Sequence, residues 1–217
     1  MNTQKITVVI ADDHPIVLLG VRELIERDER FEVIGEAGSS SDLIKVLNAR
    51  VPDIVITDYN MPESSIYGDG LKLIQYLVRH FPSLQILVLT MVSNSLILSR
   101  LYDLGVAGVV QKSQLHAEIQ RALDALSQKR VYKTLELKKT SVIEDNRQVD
   151  ERLALLSIRE LEILRLFVSG MSLRDIALDQ NRSAKTISTQ KVAAMRKLEV
   201  ETDQELITYC LAANLFK

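Results

Sequence analysis

Residues 5–15 read Lys5-Ile-Thr-Val-Val-Ile-Ala11-Asp12-Asp13-His14-Pro15. The run from Lys5 to Ala11 is largely apolar and rich in β-branched residues, without strict alternation. It predicts a strand buried on both faces. Two acids then end the apolar run. Pro15 suits the first turn of a helix, and Val17, Val21, Leu24 and Ile25 recur at helical spacing behind it. The stretch is therefore a strand, an acidic turn and a helix.

The same unit recurs down the chain. Phe31–Gly35 is a second predicted strand, followed by a helix from Ser41 to Ala49 with Leu43, Val46 and Leu47 on one side. Asp53–Thr57 is a third strand. Asp58 to Gly70 is a polar loop containing Pro62, Gly68 and Gly70, and Leu71 to His80 is helical. Leu84–Thr90 is a fourth strand, and Leu96–Leu104 a helix stopped by Gly105. Val106–Val110 and Leu115–Leu126 complete the fifth pair. Five strand–helix units predict an α/β domain over residues 1–128, a doubly wound (βα)5 parallel sheet. In such sheets, ligand chemistry belongs at the carboxyl ends of the strands.

Residues 129–152 are charged and weakly periodic, which predicts a linker. Residues 153–217 show no strand pattern and predict a four-helix, all-α domain. Ser157 with Glu160 and Thr202 with Glu205 are capping-box pairs that open its first and last helices. Ser172–Asp179 is a short second helix, Gln180–Ser183 a turn, and Ser183–Lys197 a third helix.

Composition excludes several classes. The chain has 217 residues, and its 26% charged content is that of a globular protein. No apolar run is long enough for a membrane span. One cysteine, Cys210, permits no internal disulfide, and with no export signal a cytoplasmic location is expected. Three scattered histidines and one cysteine speak against a structural zinc cluster. The net charge of −2 divides unevenly, −5 over residues 1–128 and +3 over 129–217. Residues 181–198 hold Arg182, Lys185, Lys191, Arg196 and Lys197 and no acid. A polyanion partner and a plain solvated surface both fit that segment.

The acids fall where the sheet would gather them. Asp12 and Asp13 follow strand one, Asp58 follows strand three, Thr90 ends strand four, and Lys112 follows strand five. Carboxylates this close repel unless a cation intervenes, and Mg2+ suits carboxylate, carbonyl and water oxygens. The set fits phosphoryl chemistry, with Asp58 as nucleophile, Thr90 as hydrogen-bond donor and Lys112 offsetting phosphoryl charge. The backbone carbonyl of Asn60 is a further candidate metal ligand, or a turn element. His14 reads as a helix-start residue. Solvated loop acids beside a surface lysine are the competing explanation. No Walker or dinucleotide-binding glycine pattern is present.

These motifs carry a resemblance. Asp12-Asp13, Asp58 with Met61-Pro62, Thr90 and Lys112 resemble the receiver domain of two-component response regulators. The resemblance implies that Asp58 accepts a phosphoryl group from a histidine kinase or histidine phosphotransfer protein. It implies Mg2+ held by Asp12, Asp13, Asp58 and Asn60, and it implies that Thr90 and Lys112 couple phosphorylation to conformation. Two positions depart from the family pattern. Val109 stands where an aromatic switch residue is common, and Ser113 where a cis-proline often follows the lysine.

In the third C-terminal helix, Ile187, Ala194 and Leu198 fall on an inward face, and Ser188, Thr189, Val192 and Arg196 point elsewhere. Helix, tight turn and basic helix form a helix-turn-helix pattern. Arg182, Lys191, Arg196 and Lys197 suit phosphates, and Ser188, Thr189 and Val192 suit base edges. A structural bundle with a solvated cationic face remains the alternative. Leu156–Gly170, Ile176-Ala177, Lys185–Gln190 and Met195–Leu198 resemble the DNA-binding domain of the LuxR/NarL/FixJ class. That resemblance places Lys185, Ser188, Thr189, Lys191 and Val192 on or beside a DNA face, and gives the last helix a part in pairing two domains on DNA.

Together the resemblances imply a phosphorylation-controlled transcription regulator, not an enzyme. Its expected partners are double-stranded promoter DNA, a phosphodonor histidine protein, a second copy of the chain, auxiliary regulators and RNA polymerase. Three other readings stand beside it. They are a phosphatase or phosphotransferase using Asp58, a protein-interaction module, and a receiver-like regulator that acts without phosphorylation.

Overall fold

The computed structural model describes residues 5–61, 67–133 and 152–216. Pro62 and residues 134–151 of the expected linker lie outside the described residues. Two compact units are present.

The first unit contains a five-stranded parallel sheet of order β2-β1-β3-β4-β5. Its strands are β1 (Ile6–Ala11), β2 (Phe31–Ala37), β3 (Ile54–Asp58), β4 (Gln85–Thr90) and β5 (Gly108–Gln111). The helices that alternate with them are α1 (Pro15–Glu26), α2 (Ser40–Ala49), α3 (Gly70–His80), α4 (Ser95–Leu104) and α5 (Leu115–Ser127). Every strand and helix expected from the apolar pattern is present, with ends shifted by a residue or two.

Alternation along the strands sets the core. Val8, Ile10, Ile54, Ile56, Leu87, Leu89 and Val110 pack against Val21 and Ile25 of α1 and Ile119, Ala122, Leu123 and Leu126 of α5. The intervening Val9, Val55 and Val88 are fully buried too, so both sheet faces are covered. A fully buried leucine or valine contributes about 1.5–3 kcal/mol, so this double layer dominates the stability of the unit. At the amino end of the sheet, Asp53 accepts from Thr7 N at 2.8 Å and from Thr7 Oγ1 at 2.7 Å, tying β1 to the start of β3.

The second unit contains α6 (Ile158–Val168), α7 (Leu173–Asp179), α8 (Ala184–Leu198) and α9 (Asp203–Ala212). Both capping boxes form, at Ser157 with Glu160 and at Thr202 with Glu205. Ser172 and Ser183 cap α7 and α8 by accepting from Asp175 N and Thr186 N. Ile163 and Leu166 of α6 pack on Ile176 and Ala177 of α7 and Ile187 of α8. Cys210 is buried, and burial pushes its thiol up to about 12. Among the described residues, no helix is long and apolar enough to cross a membrane.

Candidate functional site

Strand register brings the acids together. Ala11 pairs with Thr57, Asp58 with Leu89, and Thr90 with Gln111. The residues at or just past these pairs, Asp12, Asp58, Thr90 and Lys112, therefore line one sheet edge. Asp58 is the last residue of β3 and does not follow the strand, which sets its carboxylate deeper than a loop position would. Asp12 is fully buried, Asp58 is 4% exposed and Thr90 is 1% exposed.

Lys112 bridges the two buried acids. Its Nζ lies 2.8 Å from Asp12 Oδ2 and 2.8 Å from Asp58 Oδ2. Burial alone would lower the Lys112 pKa, but the hydrogen bonds and charges of Asp12 and Asp58 outweigh it and hold the ammonium above its usual range. Asp58 goes the other way. Burial raises its pKa to about 6, Asp12 adds to the rise, and Lys112 and the backbone of Asn60 oppose it. One ammonium thus serves two buried carboxylates, and the pocket is short of positive charge.

Asp12, Asp13, His14 and Asp58 each offer one ligand atom, all within 4.8 Å of one another. Three carboxylates in that space are hard oxygen donors of the kind a small divalent cation takes. The group therefore fits Mg2+. His14 is the N-cap residue of α1, as its helix-start reading predicts, and its Nδ1 sits 2.8 Å from Asp13 Oδ1. The Asn60 backbone hydrogen-bonds the Asp58 carboxylate, and the Asn60 side chain is exposed. Val109 is buried in β5, and Ser113 lies exposed in a single 3₁₀ turn.

In the second unit, α7, a turn at 180–183 and α8 form a helix-turn-helix. Asn181 takes a left-handed conformation in the turn, φ 50°. Arg182, Lys185, Thr189, Val192 and Arg196 are exposed, and Ser188 is half-buried. From Lys185 to Arg196 they make one stripe along α8. Lys197 is partly exposed and reaches Glu160 Oε2 at 2.7 Å.

Lys191 departs from its expected place on the phosphate-facing surface. It is 7% exposed and turns inward. Its Nζ lies 2.5 Å from Asp203 Oδ1 of α9 and 4.3 Å from the centroid of the Phe167 ring of α6. Its position explains this, because Lys191 is four residues after Ile187 and three before Ala194, on the inward face of the helix. The spacing was visible in the sequence, and the positive charge masked it.

A family model of the response regulator receiver domain matches residues 8–124. One of bacterial regulatory proteins of the luxR family matches residues 154–210. The chain is 43% identical over 212 residues to the transcriptional regulatory protein RcsB of Escherichia coli K12, spanning 97% of this chain and 96% of that protein. It is 34% identical over 209 residues to the transcription regulator BvgA of Bordetella pertussis, spanning 96% of this chain and 98% of BvgA. A solved structure of Salmonella enterica serovar Typhimurium RcsB, bound to promoter rprA with the phosphomimetic BeF3−, superposes with a TM-score of 0.79. Identity to it is 43%, covering 96% of this chain and 100% of that one. An RcsB–DNA complex gives 0.77 at 42% identity, covering 95% and 98%.

Proposed function

Because the chain belongs to the response regulators, joining a receiver domain to a LuxR-family domain, we propose that phosphorylation of Asp58 controls its binding to promoter DNA. The observation that carries this reading is Lys112 Nζ, 2.8 Å from both Asp12 and Asp58 at the carboxyl edge of the sheet. The reading divides the chain into a receiver over 1–128, a linker over 129–152 and a DNA-binding domain over 153–217.

Asp12, Asp13, Asp58 and the carbonyl of Asn60 would hold Mg2+. Bound there, it would supply positive charge to offset that of the phosphoryl oxygens. An Asp58 carboxylate oxygen attacks the phosphorus of a histidine-bound phosphoryl group. The new O–P bond forms as the N–P bond breaks, and its electron pair returns to the donor imidazole. Lys112 shifts to pair with a phosphoryl oxygen, and the Thr90 hydroxyl donates to another. The phosphodonor is a histidine kinase or histidine phosphotransfer protein.

On the DNA side, Arg182, Lys185, Arg196 and Lys197 contact phosphates, and Ser188, Thr189 and Val192 face base edges in the major groove. Lys191 is left out because its ammonium is already held inside the unit. Two copies pair on adjacent half-sites about one helical turn apart. The pairing surfaces are α1 with α5, where Ile16 and Leu19 stand exposed, and α9, where Leu211 does. RNA polymerase and auxiliary regulators are further partners, and the cytoplasm is the compartment.

The test is a small phosphodonor with Mg2+. Wild type gains a base-labile acyl phosphate, and Asp58→Asn gains none. Equal labelling of both proteins ends the assignment.

A further inference from the structure

The first residues past α5 fold back onto the sheet. β5 is an edge strand, and Tyr132 bridges to its open side. Tyr132 N donates to Ala107 O at 2.8 Å, and Tyr132 forms a parallel bridge with Gly108. Gly108 permits this approach. A Cβ there would stand 2.9 Å from a Leu87 methyl and 3.1 Å from the Tyr132 Cβ. Two phenols pin the segment. The Tyr132 hydroxyl bonds the buried Glu118 of α5. The Tyr102 hydroxyl of α4 donates to the Tyr132 carbonyl at 2.8 Å. The same Tyr102 oxygen is hydrogen-bonded by the backbone of Val109, and Lys133 Nζ lies 5.4 Å from the centroid of the Tyr102 ring.

Tyr102 thus stands between β5 and Tyr132, near the start of the linker. The other end of β5 runs into Lys112, whose ammonium holds Asp58. A phosphoryl group on Asp58 would compete with Asp12 for that ammonium and reposition the residues that follow β5. No aromatic side chain occupies position 109 to carry such a change, since Val109 is there.

We propose that Tyr102 is the positioning residue that couples the state of the Asp58 pocket to the linker, by holding the Tyr132 carbonyl against the open edge of β5. The hydroxyl makes the hydrogen bond to Tyr132, so Tyr102→Phe removes that bond and leaves the ring and its contact with Lys133 in place. The inference rests on the phosphorylation reading of Asp58.

The experiment is hydrogen exchange read by mass spectrometry on the full chain, with and without acetyl phosphate and Mg2+. In wild type, protection of the peptide around Tyr132 is expected to change on phosphorylation. In Tyr102→Phe that change disappears, although Asp58 is labelled to the same extent. DNA binding by the same proteins is the second readout. The gain in affinity on phosphorylation falls by about fivefold, at the low end of coupling between two sites. Tyr132→Phe, which removes the hydroxyl contact with Glu118 instead, is the second variant and gives an intermediate loss. Wild type and Tyr102→Phe showing the same change in protection overturns the coupling and leaves the phosphorylation reading intact. An absence of Asp58 labelling in wild type overturns both.

Discussion

Lys112 and Asp58 are joined by an ammonium–carboxylate contact of 2.8 Å in a pocket where the acid is almost wholly buried. The contact does not cancel the cost of burial, because Lys112 is shared with Asp12 and the Asp58 carboxyl still titrates at about 6.

That raised pKa fixes the direction of a stability experiment. The folded value lies above the ordinary 3.8, so folding takes up a proton at Asp58 between the two values. The contribution of Asp58 is fully present below about pH 4 and is lost as pH rises through about 6. At neutral pH, without metal, the Asp58 charge weighs against the fold. Asp58→Asn in chelator should be more stable than wild type by about 1–3 kcal/mol at pH 7.5, with the difference shrinking by pH 4.5. Urea unfolding at the two pH values measures it. A variant less stable than wild type at pH 7.5 contradicts the charge argument.

Removal of divalent metal should abolish labelling of Asp58 by acetyl phosphate, and restored Mg2+ should recover it. Asp13→Ala should need far more Mg2+ for half-maximal labelling, because it removes one of three clustered carboxylates. An unchanged Mg2+ requirement in that variant would take Asp13 out of the ligand set.

Lys185 and Lys191 should separate cleanly in a salt titration of DNA affinity. Lys185 is exposed, and its replacement by Ala should weaken binding and lower the log–log salt slope by about one. Lys191→Ala should leave the slope as it is and destabilise the second unit by about 1–3 kcal/mol, through loss of the Asp203 and Phe167 contacts. A drop of one in the slope for Lys191→Ala would return it to the phosphate contacts.

The caps of the second unit offer a smaller effect. Ser157→Ala breaks a capping box that also engages Lys197 through Glu160, and about 1 kcal/mol of stability should go with it. Thermal melting of the full chain resolves such a change. An effect near zero would mean that solvent satisfies the start of α6 as well as the serine does.

Most of the first unit was legible because its strands are apolar runs separated by turn residues, a pattern fixed by local chemistry. The pocket was legible for the same reason, since a parallel sheet gathers whatever follows its strands at one edge. Asp58 as the final residue of β3 was harder to read, because a carboxylate gives no strand signal of its own. The inward turn of Lys191 was written in its spacing from Ile187, and charge argued against it. The packing of Tyr132 on β5 left no periodic trace. One aromatic in a polar stretch looks like linker, and only Gly108, far away in sequence, makes room for it.

The pocket draws on four of the five strands, and its last member, Lys112, follows the fifth. A chain still being synthesised therefore lacks a complete input until more than half of it has left the ribosome and the edge strand has closed. A copy cut short before Lys112 lacks the ammonium that bridges Asp12 and Asp58.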